Sequence, residues 1–472
     1  MIFRPEQSTG TKMAAGVIFA GFVFSLAVNL PGHLSYDSII QLLEGRTGAY
    51  AGWHPPVTSW VLGLTDAIVP GTALFVLLDA LLIFGSFWGL LRLRPDAGWV
   101  AAVLAALFAF TPQLLIYPGI VWKDVLFAAA FLMGFVLLVH AAAGWNTARR
   151  RYAFLIAAFI LFVVASLARQ NGLILLLGGA CAVGWIALRN EAGGWQNFAK
   201  FAGGALVASL IVLTLANVAL GMRLVRTSGI GRQIKLLQMY DIVAALSAEP
   251  GLRLDEIDKA DPVFAATMRR DGVRLYTPQR NDPLAASQPL SAALTAVSPS
   301  LLRTQWLDLI AHRPWLYLKQ RASMFGWVLF TPKIDACLPF YVGVQGPQDE
   351  MDQLNLDARY DSRDEWLQNY GNRFEGTPVF SHALFALLSL MAMVMLFLRR
   401  RDTDIVMGVM QASVLLFTLS FFEISLACDY RYLYGVDLSA MLAWFYLALD
   451  WPAPGWDWRT LRFPNRAGGR EP

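Results

Sequence analysis

About ten stretches of this chain stay apolar for the length of a membrane crossing, with short polar breaks between them. A helix needs about 20 mostly apolar residues to cross the hydrocarbon core. By that measure spans are predicted at 13–30, 72–91, 97–116, 121–143, 152–167, 172–188, 201–220, 379–398, 405–425 and 436–449. The first run leads into Asn29-Leu30-Pro31-Gly32, which reads as a helix exit without a small-residue cleavage site. It is therefore expected to be a retained span, not a signal peptide.

Two polar segments interrupt the pattern and set the expected organisation. A membrane module covers 1–220 and holds a first loop at 31–71. A loop domain follows at 221–378, about 150 residues and long enough to fold by itself. Membrane helices and a tail complete the chain at 379–472.

In the first loop, Ser35-Tyr36-Asp37-Ser38 precedes Ile39, Ile40, Leu42 and Leu43, predicting a capped amphipathic helix on the membrane surface. Trp53-His54-Pro55-Pro56 opens a second short helix over 57–69, with proline near its first turn. In the long loop, 300–330 has a helical pattern, with Trp306, Trp315, Trp327 and Arg321 suited to an interface. The stretch 349–374 is acidic and aromatic with no clear period. No repeat of fixed length is present, which argues against a transporter built from paired halves.

Charge supplies an orientation. Arg92 and Arg94, Arg149-Arg150-Arg151, Arg189 and Lys200, Arg399-Arg400-Arg401, and Arg459, Arg462 and Arg466 all fall on one side. Arg4 and Lys12 at the N-terminus share it. The positive-inside rule then puts both termini in the cytoplasm and both long loops outside, as in a multi-pass protein of a bacterial inner membrane. Composition agrees: 56% of residues are hydrophobic and 15% charged, against about 25% charged in soluble domains. The net charge of +4 sits beside apolar runs, so it does not indicate a nucleic-acid partner. Of three cysteines, Cys181 lies in an apolar run. Cys337 and Cys428 lie outside the predicted spans; they can pair in an oxidising compartment or remain two free thiols, and spacing does not decide.

Four polar sets fall at the same ends of the predicted spans. Asp37 opens the first-loop helix, and Lys123 and Asp124 begin the fourth span. Arg169, with Gln170 and Asn171, turns between the fifth and sixth, while Asp429, Arg431 and Tyr432 precede the last. Each has an ordinary structural role available, as a cap, a dipole partner or a lipid-phosphate anchor. Charges at one membrane level are also available to a shared cavity. Such a set suits transfer of a sugar from a lipid phosphate. A carboxylate, Asp37 or Asp124, would take the acceptor's proton. The cations Lys123, Arg169 and Arg431 would stabilise the departing phosphate. His54, Asp241 and Tyr432 are further substrate-binding candidates, with a packed histidine and a helix cap as the plain readings of the first two. Glu423, within a span near its outer end, is a functional candidate by default, while a partner such as Arg431 would explain it structurally. Five histidines and no zinc-type spacing give a metal site little support, although scattered carboxylates could still serve a diphosphate donor. No glycine-rich phosphate loop precedes a helix, so a nucleotide sugar is not the expected donor.

The order of these pieces resembles the GT-C superfamily of integral-membrane glycosyltransferases. The pieces are Ser35-Tyr36-Asp37, Trp53-His54-Pro55-Pro56, Trp122-Lys123-Asp124-Val125-Leu126-Phe127, Ala168-Arg169-Gln170-Asn171-Gly172 and Arg431-Tyr432-Leu433. His312-Arg313-Pro314-Trp315-Leu316-Tyr317-Leu318 is similar to the end of that family's large outer loop. The likeness is close over the first 190 residues and loose beyond them. It implies an all-α polytopic fold and an inverting transferase. The partners would be a polyprenyl-phosphate-linked sugar donor, a glycan or lipid acceptor and membrane lipids, with no cofactor and no metal for a monophosphate donor. By the same resemblance Asp37 is the base, Asp124 the second acid, and Lys123 or Arg169 the phosphate-facing cation. Ser38 follows Asp37 where protein O-mannosyltransferases carry an acidic pair, which points instead to bacterial enzymes that decorate O-antigen, lipid A or other envelope glycans. The rival readings are an O-antigen polymerase or ligase acting on a diphosphate-linked glycan, and a lipid or sugar transporter.

Overall fold

The computed structural model describes residues 7–50, 54–219 and 222–450. Trp53, Arg4, Arg459, Arg462 and Arg466 lie outside the described residues. The chain is all-helical and multi-pass: among the described residues, nine helices are long and apolar enough to cross a membrane. The first part of the chain forms α1 (Thr9–Asn29), α2 (Tyr36–Thr47), α3 (Pro56–Ile68), α4 (Ala73–Leu91), α5 (Trp99–Ala109), α6 (Lys123–Ala143), α7 (Ala148–Ala168), α8 (Leu173–Asn190) and α9 (Trp195–Ala219). The longer helices of the middle are α10 (Met222–Ala248), α11 (Pro299–His312) and α12 (Pro314–Phe330). The chain ends its described part with α13 (His382–Arg399), α14 (Asp402–Ile424) and α15 (Tyr434–Leu449).

The third predicted span is not one straight helix. Trp99–Ala109 and Pro112–Gly119 meet at 76°. Pro112 has no N–H to continue the helical ladder, and its ring pushes Thr111 out of the helical region, to φ −77° and ψ 150°. α6 and α15 are apolar on every side and are buried over almost their whole lengths, as such helices must be. They form the centre of the bundle.

The first-loop helices form as the sequence predicts but cover a different surface. Ser35 and Ser38 make the capping box of α2, and the helix ends at Gly48 in the left-handed region (φ 70°). Its apolar residues Ile39 and Leu42 are wholly buried against protein, so α2 is a packed element and not a surface float. α2 and α3 cross at Gly45 and Gly63. A Cβ on Gly45 would lie 2.3 Å from the Ser59 carbonyl oxygen, and one on Gly63 2.3 Å from that of Gly45. Only hydrogen fits between these backbones.

The long polar segment splits in two by what it packs on. Residues of α10, α11 and α12 enclose a core of their own around Tyr240, Val243, Phe264, Leu290 and Leu302. The stretch from Val328 through Phe340, Val344 and Leu367 instead joins the core of the main bundle. Arg321, expected at an interface, is fully buried and paired with Asp241 at 2.7 Å. The acidic stretch 349–374 forms two short helices, Gln348–Leu354 and Ser362–Asn372, the second capped by Asp361.

Candidate active site

Three backbone segments meet at one end of the bundle and carry the site. His33 N–H donates to Gly119 O (2.8 Å) and Val121 N–H to His33 O (3.0 Å). On the other side Leu34 N–H donates to Gly343 O (2.9 Å) and Gln345 N–H to Leu34 O (3.0 Å). Side chains reinforce this join. Ser38 Oγ donates to Val121 O at 2.7 Å, and the buried Trp122 indole donates to Ser35 Oγ at 2.8 Å. The start of α2, which carries Asp37, is thus tied to the start of α6, which carries Lys123 and Asp124.

Arg431 stands at the centre. Its Nη2 lies 2.7 Å from Asp37 Oδ2 and 3.1 Å from Asp429 Oδ2, and its Nε lies 3.7 Å from Asp124 Oδ2. Its guanidinium also covers the Trp122 ring at 4.9 Å. Arg169 reaches the same acid from the far side, with Nε 3.0 Å from Asp124 Oδ1, and its Nη1 donates to Tyr432 O at 3.0 Å. The Tyr432 ring lies 5.1 Å from the Arg169 guanidinium. His54 sits between Lys123 and Asp37: its Nδ1 accepts from Lys123 Nζ at 3.1 Å, and its Nε2 faces Asp37 Oδ1 at 3.6 Å. Among the described residues, His54 is the one hydrogen-bond partner of the Lys123 ammonium, which has three N–H groups.

The two acids differ in access. Asp124 is 1% exposed, and its carboxylate oxygens are ion-paired without a hydrogen bond of good geometry. Asp37 keeps 23% of its side chain exposed and lines an open cavity of about 550 Å³. Ser35, Tyr36, Leu338, Tyr341, Gln345, Gly346, Pro347 and Arg431 complete the wall.

Charge state follows from these neighbours. Burial alone would raise the Asp37 carboxyl; Arg431 foremost, with His54 and Lys123, outweighs it and holds the group at about 2. Burial pushes His54 down, Lys123 pushes it further, and it sits at about 3. Its imidazole is therefore neutral at ordinary pH, in keeping with Nδ1 accepting from the Lys123 ammonium. Burial raises the Asp429 carboxyl against the pull of Arg431 and Arg280.

Of the residues singled out in the sequence, Asp37, His54, Lys123, Asp124, Arg169, Arg431 and Tyr432 come together. Asp241 does not. Its carboxylate takes the Arg321 guanidinium and the Trp306 indole (2.8 Å) within the separate core of α10 to α12. Glu423 pairs with Tyr317, whose hydroxyl donates to it at 2.7 Å, and not with Arg431. Sequence reasoning quoted Trp122 in a motif without giving it a role, as the ring under Arg431, and missed Arg280, whose Nη2 stands 3.7 Å from Asp429. A tryptophan beside Lys123-Asp124 was a visible signal; for Arg280 none existed. Cys337 and Cys428 form a disulfide, and Leu338, the residue after Cys337, lines the cavity. Among the described residues no group of three His, Cys, Asp or Glu side chains is arranged to hold a metal ion.

Solved structures with a similar chain trace include the archaeal oligosaccharyltransferase AglB from Archaeoglobus fulgidus in complex with an inhibitory peptide and a dolichol-phosphate. It is 13% identical with a TM-score of 0.40, over 92% of this chain and 50% of that one. ArnT from Cupriavidus metallidurans in the apo state is 13% identical with a TM-score of 0.33, over 93% of this chain and 78% of that one. This chain spans about half the length of the oligosaccharyltransferase. No family model matches the sequence, and no curated protein matches it.

Proposed function

We propose that this chain is a GT-C-type glycosyltransferase that moves a sugar from a polyprenyl monophosphate to a glycan or lipid acceptor on the non-cytoplasmic side of the membrane. The observation that carries the reading is the reach of one arginine, Arg431, to three carboxylates, beside a lysine that among the described residues bonds only His54, and beneath an open cavity. Asp37 borders that cavity, so it is the base. Asp124 is too deeply buried for that role and orients Arg169 and Arg431. The buried Cys337–Cys428 disulfide beside the site supports an oxidising compartment.

In the reaction the acceptor hydroxyl attacks the anomeric carbon from the face opposite the phosphate. Its proton passes to Asp37 as the new glycosidic bond forms. The anomeric carbon–oxygen bond to phosphate breaks, the configuration inverts, and the polyprenyl phosphate leaves with the bonding electrons. Lys123, Arg169 and Arg431 receive the growing phosphate charge. Arg431 has a second effect. While it is committed to Asp37 the carboxylate is a weak base. Sharing the guanidinium with an incoming phosphate makes Asp37 more basic only when donor is present.

The test is transfer by detergent-purified protein from a radiolabelled polyprenyl-monophosphate sugar to a crude envelope glycan. Asp37→Asn is expected to lower transfer by about 10²–10⁴-fold while donor binding persists. Full transfer by that variant removes Asp37 as the base.

A further inference from the structure

Immediately before Arg431, a buried polar cluster fixes Tyr430 from three directions. His382, the first residue of α13, donates from Nε2 to the Tyr430 carbonyl at 2.9 Å. The His382 ring stacks on the Tyr430 ring with centroids 3.9 Å apart. The Tyr430 hydroxyl donates to Asp437 Oδ2 at 2.6 Å and accepts from Gln113 Nε2 at 2.9 Å. Asp437 Oδ1 closes the loop, 2.8 Å from His382 Nδ1. His382, Tyr430 and Asp437 are all fully buried.

The chemistry of this cluster is specific. A backbone carbonyl only accepts, so Nε2 of His382 must carry hydrogen. Its Nδ1 faces a carboxyl group, so a further proton is held between His382 and Asp437. Packing alone would be served by an apolar side chain at 382. A histidine there costs the desolvation of a ring whose polar atoms must be satisfied, and both are. What the cost secures is the carbonyl of the residue that precedes Arg431.

The neighbouring residues are fastened as well. Cys428 is bonded to Cys337 and its N–H donates to Gln279 O at 2.8 Å. Tyr432 O accepts from Arg169. Tyr430 is the link on the bundle side, and it turns a side chain of otherwise long reach into one aimed at a fixed point. Misplacement of about 1 Å in such a group is enough to cost about 10²-fold in rate.

We propose that His382 and Asp437, acting through Tyr430, are positioning residues that set where the Arg431 guanidinium meets the donor phosphate. This rests on the phosphate-clamp reading of Arg431 given above. The probe is a tritiated short-chain polyprenyl monophosphate, bound at equilibrium to detergent-purified full-length protein whose folded fraction is checked by thermal unfolding. Wild type is compared with Arg431→Ala, His382→Leu, His382→Gln and Tyr430→Phe.

His382→Leu is expected to weaken binding by about tenfold per folded molecule. His382→Gln, whose side-chain N–H can still reach the Tyr430 carbonyl, is expected to recover most of that loss. Loss in the leucine variant with recovery in the glutamine variant supports positioning, because a packing role would not discriminate them in affinity. Should His382→Leu fail to fold, Tyr430→Phe decides. It loses the hydroxyl's bonds to Asp437, Gln113 and Val379 but keeps the ring, and weakened binding supports the proposal. Wild-type affinity in the folded His382 and Tyr430 variants, with affinity lost in Arg431→Ala, overturns the positioning role and leaves the clamp standing. Wild-type protein that does not bind the probe, or Arg431→Ala that binds it as tightly, removes both.

Discussion

Asp37 and Arg431 set each other's chemistry, and the consequence is a pH dependence with a definite sign. The Asp37 carboxyl sits at about 2, below the ordinary carboxylate range: burial raises it, and Arg431, together with His54 and Lys123, more than offsets burial. A depressed carboxyl contributes stability above its unfolded value, about 4, and loses it as pH falls through the folded value. In wild type, then, Asp37 is ionised across the working range and does not set the acid limb of activity. Arg431→Gln removes the largest opposing charge and leaves burial in command, so the carboxyl rises. The carboxyl is expected to rise by about 1–3 units, so that Asp37 becomes the group that sets the acid limb of kcat/KM and the limb moves to higher pH, on top of a lower maximum. An acid limb that stays in place denies Arg431 this control. Much of the set was legible in the sequence because the residues sit at helix ends, where topology alone fixes their level: Asp37, Lys123, Asp124, Arg169 and Arg431 are of this kind. Asp241 was misread for the same reason in reverse. Its position near an amphipathic stretch said nothing of Arg321, 80 residues on, which claims it.

Among the elements, the irregular segment 338–347 depends most on a single covalent link. It supplies Leu338, Tyr341, Gln345, Gly346 and Pro347 to the cavity, and Cys337 at its start is bonded to Cys428, close to Arg431 in sequence. Backbone bonds at Leu34 and Arg359 hold its far end. Replacing both cysteines (Cys337→Ser with Cys428→Ser) is expected to cost about 2–5 kcal/mol of stability, seen as a lower unfolding midpoint. With the near end of the wall released, the acceptor KM is expected to rise more than the donor Kd, because Lys123 and Arg169 are held from α6 and α7. Equal changes in both would mean that the link serves the whole site and not the wall. The sequence left this pairing open: 91 residues separate the two cysteines, and no local pattern measures distance across a fold. The spans themselves were readable, since length and hydropathy carry that signal. The break at Pro112 was not, because an apolar run continues through it and hydropathy is blind to a missing N–H.

At the scale of the whole molecule, the reading depends on which end of the bundle carries the site. The first loop, the separate core of α10 to α12 and the disulfide all lie with Asp37 and Arg431. The arginine-rich turns, such as Arg149-Arg150-Arg151 between α6 and α7, lie at the opposite ends of their helices. The positive-inside rule would assign those turns to the cytoplasm and a stable disulfide would favour the other compartment, so the proposed orientation draws on two independent arguments. Thiol labelling can test it directly. The free Cys181 is first changed to serine, and single cysteines are then placed at exposed positions: Lys259→Cys and Gln353→Cys in the long loop, Asn146→Cys at the arginine-rich end. A membrane-impermeant maleimide applied to sealed right-side-out vesicles is expected to label the first two and spare the third. Inverted vesicles are expected to give the reverse. Labelling of all three from one face would contradict the spans. The reverse pattern, with Asn146→Cys reached from outside, would put Asp37, the proposed base, in the cytoplasm, where a buried disulfide has no chemical reason to persist.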